Sequence, residues 1–221
     1  MSQIKALYFD LDNTLIDRDK AFWLCMEDFF EKHLSNYNPK LEKEILLQKD
    51  NFGYTSRTVF SEWFVAYYQP KEITATDFFN YQIENISKYI PKSSNVLLSM
   101  LEQLKKEFRI GIITNGSVKN QMAKIKNAKL DEIFPKESIY ISQVYNTEKP
   151  KPKLFNIVLK DLKISPKNVL YIGDNPINDI FAPKQLEIKT CWIKNGRKWI
   201  ENFSADMEID SIIQFRVLKK I

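Results

Sequence analysis

At 221 residues, with 44% hydrophobic and 28% charged residues, the chain has the size of one large domain or of a core with a sizeable insert, and the balance of a soluble globular protein. Its net charge of +5 is scattered along the chain, with no Arg-rich arm or basic stripe, which argues against nucleic acid as a partner and leaves a mild field that favours small anions. No run of about 18 apolar residues exists, so no membrane span is expected, and Met1-Ser2-Gln3-Ile4-Lys5 carries no signal-peptide pattern, so the expected location is the cytoplasm.

The first strand is expected at residues 4 to 10, an apolar, β-prone stretch that runs into Asp10 and Asp12. From 18 to 90 the texture is helical. Phe22, Cys25, Met26, Phe29 and Phe30 recur at helical spacing, as do Phe60, Trp63, Phe64 and Tyr67, then Phe79, Ile83, Ile86 and Ile90, with Pro39, Pro70 and Pro91 as punctuation. These aromatics read as the core of a small bundle. Cys25 and Cys191, the only cysteines, read as buried thiols, and His33, the only histidine, as structural. With one histidine there is little to build a Ser-His-Asp triad or a multi-histidine metal site.

From residue 95 onward strands and helices alternate. A helix is expected from Val96 to Phe108, a strand at 109–114, a helix near Lys119 to Lys129, a strand at 138–142, a helix from Leu154 to Leu162, and strands at 169–174, 190–193 and 209–212. That alternation predicts parallel βαβ units. The fold class is therefore α/β, a Rossmann-like doubly wound parallel sheet, with residues 1–16 and 93–221 as the core and 17–92 as a helical cap inserted after the first strand.

In such a sheet ligands bind beyond the carboxyl ends of the strands. Three expected strands end in polar clusters: Asp10-Leu11-Asp12-Asn13-Thr14, Thr114-Asn115-Gly116-Ser117, and Gly173-Asp174-Asn175-Pro176-Ile177-Asn178-Asp179, with Glu148-Lys149-Pro150-Lys151-Pro152 between the last two. Asp10, Asp174 and Asp179 can gather around a hard cation such as Mg²⁺, which prefers a few carboxylate oxygens together with a substrate phosphate. Asp10 can attack phosphorus, Thr114 and the amides near Asn115 and Gly116 can hold phosphoryl oxygens, Lys149 can neutralise developing charge, and Asp12 can serve as general acid and then base. Each cluster alone reads as an ordinary turn, cap or rigid loop. The four in this order form one chemistry.

The sequence resembles the haloacid dehalogenase (HAD) superfamily, in the branch with a helical cap between its first and second motifs (the C1 type). "DLDNT" is similar to the first motif, "TNG" to the second, the Lys of "KPKP" to the third and "GDNPIND" to the fourth. The resemblance implies Asp10 as nucleophile, Asp12 as acid/base, Thr114 and Lys149 as phosphate binders beside the Asn115 and Gly116 amides read above, and a Mg²⁺ site of Asp10, Asp174, Asp179 and the backbone carbonyl of Asp12. Dehalogenating and phosphonate-cleaving members lack an acid at the position of Asp12, so its presence implies a phosphatase. The implied reaction is Mg²⁺-dependent hydrolysis of a small phosphorylated metabolite, a sugar phosphate or a nucleoside monophosphate, through an aspartyl-phosphate. A phosphosugar mutase on the same scaffold and a non-enzymatic phosphoacceptor domain are the alternatives. Within the cap, Tyr54 and Arg57 are candidates for reading the leaving group, with an ion pair from Arg57 to Asp50 or Glu84 as the plainer role. Pro183 falls where relatives continue a helix after the fourth motif, and should kink or shorten it.

Overall fold

In the computed structural model, residues 3–34 and 36–217 are described. They form two compact units, one from Met1–Ile16 with Lys92–Ile221 and one from Asp17–Pro91. Among the described residues no helix is long and apolar enough to cross a membrane.

The first unit is built on six parallel strands. The first, β1 (Ala6–Phe9), is apolar at every position and buried on both faces, as a central strand of a parallel sheet must be. The others are β2 (Arg109–Thr114), β3 (Ile139–Ile141), β4 (Val169–Gly173), β5 (Lys189–Ile193) and β6 (Met207–Ile209), in the order β3-β2-β1-β4-β5-β6. The chain moves outward from β1 to β3, then crosses back to β4 on the other side of β1. That reversal makes the topological switch point at which open α/β sheets bind ligands. The register aligns Phe9 with Ile112 and with Ile172, so β1, β2 and β4 end on the same edge of the sheet, with Asp10 close to the ends of β2 at Thr114 and of β4 at Gly173.

The last strand lies earlier than the expected 209–212. Met207 to Ile209 pair with Cys191 to Ile193, and Ile212–Val217 then coils into a 3₁₀ helix that buries Ile212 and Phe215. Three-residue spacing of those apolar positions suits that helix better than a strand.

The second unit is helical: α1 (Arg18–His33), α2 (Pro39–Asp50), α3 (Arg57–Tyr68) and α4 (Ala75–Asn85). Its interior is aromatic, with Phe22, Phe29, Phe30, Phe60, Phe64 and Phe78 buried together. Phe64 and Phe78 stack at 3.8 Å between ring centroids. The inward face of α4 is centred on Phe78 and Gln82 rather than on Phe79 and Ile83, because the buried Gln82 amide hydrogen-bonds to Ser61 Oγ at 2.9 Å. His33 is exposed, with its ring tilted against that of Phe29 at 4.5 Å between centroids, and both cysteines are buried free thiols.

Candidate active site

Asp10 is the first residue beyond β1, buried, with its backbone N–H bonded to the Ile172 carbonyl at 2.9 Å. The chain then doubles back: the Leu11 carbonyl accepts from the N–H groups of Thr14, Leu15 and Ile16, and Asn13 takes a left-handed φ of 57°. This tight turn sets the Asp10 and Asp12 side chains at the end of the central strand.

At the end of β4, Gly173 is dictated by close approach, since a Cβ there would lie 2.4 Å from the Asp179 side chain. Asp174 follows, and the chain enters a π-helical turn, Pro176–Phe181, capped by Asn175. Pro183, which has no N–H for the ladder, sits inside the three-residue α-helical segment Ala182–Lys184 that follows directly on the π turn. The π turn brings Asp179 back under Asp174, where its second oxygen accepts from the Asn175 N–H at 3.0 Å.

Lys149 ties these strand ends together. Its ammonium donates to Asp10 Oδ1 at 2.7 Å, to Asp179 Oδ1 at 2.6 Å and to Tyr171 Oη at 2.8 Å, and it is 4% exposed. Tyr171 in turn donates to the Ile113 carbonyl at 2.8 Å. Asn115 clasps the Lys149 backbone from the end of β2, donating to its carbonyl and accepting from its N–H, both at 2.9 Å. The Lys149–Pro150 peptide bond is cis.

Asp10, Asp174 and Asp179 each offer a carboxylate oxygen within 4.8 Å of the others. Burial pushes the Asp10 carboxyl well above its ordinary range, and the neighbouring acids add to this against the pull of Lys149. Asp174 is pushed up to about 7, by burial first and by Asp179 second, despite an ion pair with Arg197 at 2.8 Å. Burial works against the charge on Lys149, but Asp10 and Asp179 outweigh it and raise its pKa. Three buried carboxylates thus face two cations, Lys149 and Arg197. An all-oxygen donor set with surplus negative charge fits a hard divalent cation such as Mg²⁺.

At the end of β2, Thr114 is buried, and Gly116 takes a positive φ of 136° that favours glycine. The Gly116 N–H donates to Ser142 Oγ at 2.9 Å, so a phosphoryl oxygen could use it only by displacing that hydroxyl. Helix α6 (Val118–Asn127), which follows α5 (Asn95–Glu107) in the chain, starts here. From it Lys124 reaches Asp12 Oδ1 at 2.7 Å and Oδ2 at 2.8 Å, and Gln121 bridges Asp12 Oδ2 (3.0 Å) and Thr114 Oγ1 (2.6 Å).

The motif residues thus fall into two bonded groups: Asp10, Lys149 and Asp179, with Asp174 alongside, and Asp12 with Thr114. Tyr54 and Arg57 belong to the helical unit. Arg57 opens α3 behind the N-cap Ser56, and its guanidinium bonds Asp50 Oδ1 at 2.7 Å and Gln82 Oε1 at 3.3 Å. The ion pair offsets a cation placed at a helix N-terminus. Tyr54 is 40% exposed. Sequence reasoning missed Gln121, Lys124, Tyr171 and Arg197. The first two look like the polar face of an amphipathic helix, Tyr171 like one more β-strand aromatic, and Arg197 lies in an irregular stretch with no periodicity to read.

A family model described as haloacid dehalogenase-like hydrolase matches residues 7–193. The glyceraldehyde 3-phosphate phosphatase of Pyrococcus furiosus is 31% identical over 216 residues, covering 89% of this chain and 83% of the relative. The human N-acylneuraminate-9-phosphatase is 28% identical, covering 89% and 85%. Among solved structures, the HAD hydrolase YfnB of Bacillus subtilis bound to magnesium has a TM-score of 0.84 at 20% identity, over the full length of both chains.

Proposed function

The chain belongs to the haloacid dehalogenase-like hydrolases and is an enzyme of that family, and from this premise we propose that it hydrolyses a small phosphorylated metabolite, a sugar phosphate or a nucleoside monophosphate, through an aspartyl-phosphate. The observation that carries the reading is the buried cluster of Asp10, Asp174 and Asp179 at the switch point of the sheet, with Asp10 and Asp179 both bonded to the Lys149 ammonium. Its relatives point the same way, since the two named above are phosphatases of small phosphorylated compounds.

On this reading an Asp10 carboxylate oxygen attacks phosphorus while the ester oxygen departs with a proton from Asp12. Thr114 and the Asn115 amide hold phosphoryl oxygens, and Lys149 balances the charge that gathers on them, in a site already preorganised by burial. Asp12 then takes a proton from water, which attacks phosphorus and frees phosphate and Asp10. Asp10, Asp174, Asp179 and the Asp12 backbone carbonyl would hold Mg²⁺, which when bound supplies positive charge for the three carboxylates and the phosphoryl group to share.

The test is phosphate release from p-nitrophenyl phosphate and from a panel of phosphorylated metabolites. Activity is expected with Mg²⁺, and it should vanish on adding EDTA or on Asp10→Asn. Full activity after thorough chelation would remove the metal from the reading, and near-normal rates for Asp10→Asn would remove the covalent step.

A further inference from the structure

Helix α6 buries two polar side chains that the reaction scheme above does not use. Gln121 is 2% exposed and Lys124 is 7% exposed. They are three residues apart and so share a face of the helix. A buried lysine is costly to place unless it is paired. Here the pair is Asp12, which Lys124 grips through both carboxylate oxygens, at 2.7 and 2.8 Å. The Gln121 amide nitrogen has two hydrogens. One goes to Asp12 Oδ2 at 3.0 Å and the other to Thr114 Oγ1 at 2.6 Å. The Thr114 hydroxyl accepts from Gln121 and points its own hydrogen toward the Asn115 carbonyl at 3.5 Å, a contact long enough to yield to a phosphoryl oxygen. Gly116 leaves room for this arrangement, because a Cβ there would crowd the Gln121 side chain at 3.1 Å.

We propose that Gln121 and Lys124 are positioning residues. From one face of α6 they lock the Asp12 carboxyl and the Thr114 hydroxyl into a common frame, so that the group that moves the proton and the group that holds the phosphoryl oxygen keep a fixed relation. The proposal rests on the acid/base role assigned to Asp12. Lys124 acts through Asp12 and not on the substrate, which makes the two residues energetically coupled. A misplacement of a proton-transfer group costs rate while leaving ground-state binding largely intact.

The experiment is a double-mutant cycle on p-nitrophenyl phosphate turnover with Mg²⁺, read beside the melting temperature of each variant. Lys124→Met in the wild-type background should lower kcat by about 10-fold or more, with KM changed by less than about 3-fold. In the Asp12→Asn background the same substitution should change kcat by less than about 2-fold, because the group it positions is already gone. Lys124→Arg should recover part of the loss. A loss of the same factor in both backgrounds, as a merely structural role or a direct substrate contact would give, overturns the proposal, and so does an unaltered kcat for Lys124→Met. A wild-type enzyme inert toward the aryl phosphate would instead overturn the phosphatase reading and take this inference with it.

Discussion

Asp174 shows at the scale of one residue how the site trades stability for chemistry. Its carboxyl is 3% exposed, set beside Asp179, and pushed up to about 7. A carboxylate whose folded pKa is raised binds its proton more tightly in the native state than in the unfolded chain. Stability therefore falls as pH rises from the ordinary carboxylate range, near pH 4, toward about 7, and stays lowered above that. With divalent metal chelated, Asp174→Asn should raise the melting temperature at about pH 8 by roughly 2–4 °C for each kcal/mol relieved, and should change it much less at about pH 5, where the native carboxyl already holds its proton. The same substitution should abolish turnover. Thermal unfolding monitored by circular dichroism at both pH values checks this. An equal shift at both would mean that the cost of Asp174 comes from packing and not from its charge.

At the scale of the element, α2 is the helix that pattern reading did not mark out. Among its residues only Leu46 and Asp50 are buried, so its inward face carries too few apolar positions to show a period. What α2 brings inward is a charge. Asp50 is fully buried and meets two guanidinium groups, Arg18 from α1 and Arg57 from α3. Burial works to raise its pKa, but Arg18 and Arg57 outweigh burial and hold it below the ordinary value. Asp50→Ala should cost about 3 kcal/mol, chiefly because it removes the carboxylate that both Arg18 and Arg57 grip and leaves the buried Arg18 with a longer ion pair, to Asp19 at 3.3 Å. The stabilisation from Asp50 should be complete above about pH 4 and be lost as the pH falls below that. Urea denaturation at about pH 7 and in steps below about pH 4, where the carboxylate titrates, measures both effects. Arg57→Ala separates structure from recognition: a raised KM for the metabolite with an unaltered aryl phosphate KM supports the leaving-group role, whereas a lowered melting temperature with equal losses on both substrates assigns Arg57 to the ion pair alone.

Across the whole molecule, legibility followed chemistry that is local in sequence. The ends of β1, β2 and β4 could be read because each pairs an apolar run with a polar cluster a few residues long, and the parallel sheet was implied by the alternation from residue 95 onward. The contacts of Lys124 and Gln121 with Asp12 span more than a hundred residues of chain, and no local pattern announces them. The same distances bear on how the chain folds. β1 pairs with Arg109 to Ile112 and with Val169 to Ile172, so the central strand waits on segments from the far end of the sequence. The helical unit closes within Asp17–Pro91 and holds its own aromatic cluster. Entropy of loop closure delays long-range pairing relative to contacts made within a short stretch. The amides of α1, α3 and α4 should therefore gain protection in an earlier phase of refolding than those of Leu7 to Phe9 in β1. Pulse-labelled hydrogen exchange after dilution from denaturant resolves the order. Protection of β1 together with or ahead of the helical unit would mean that the sheet, despite its long loops, nucleates the fold.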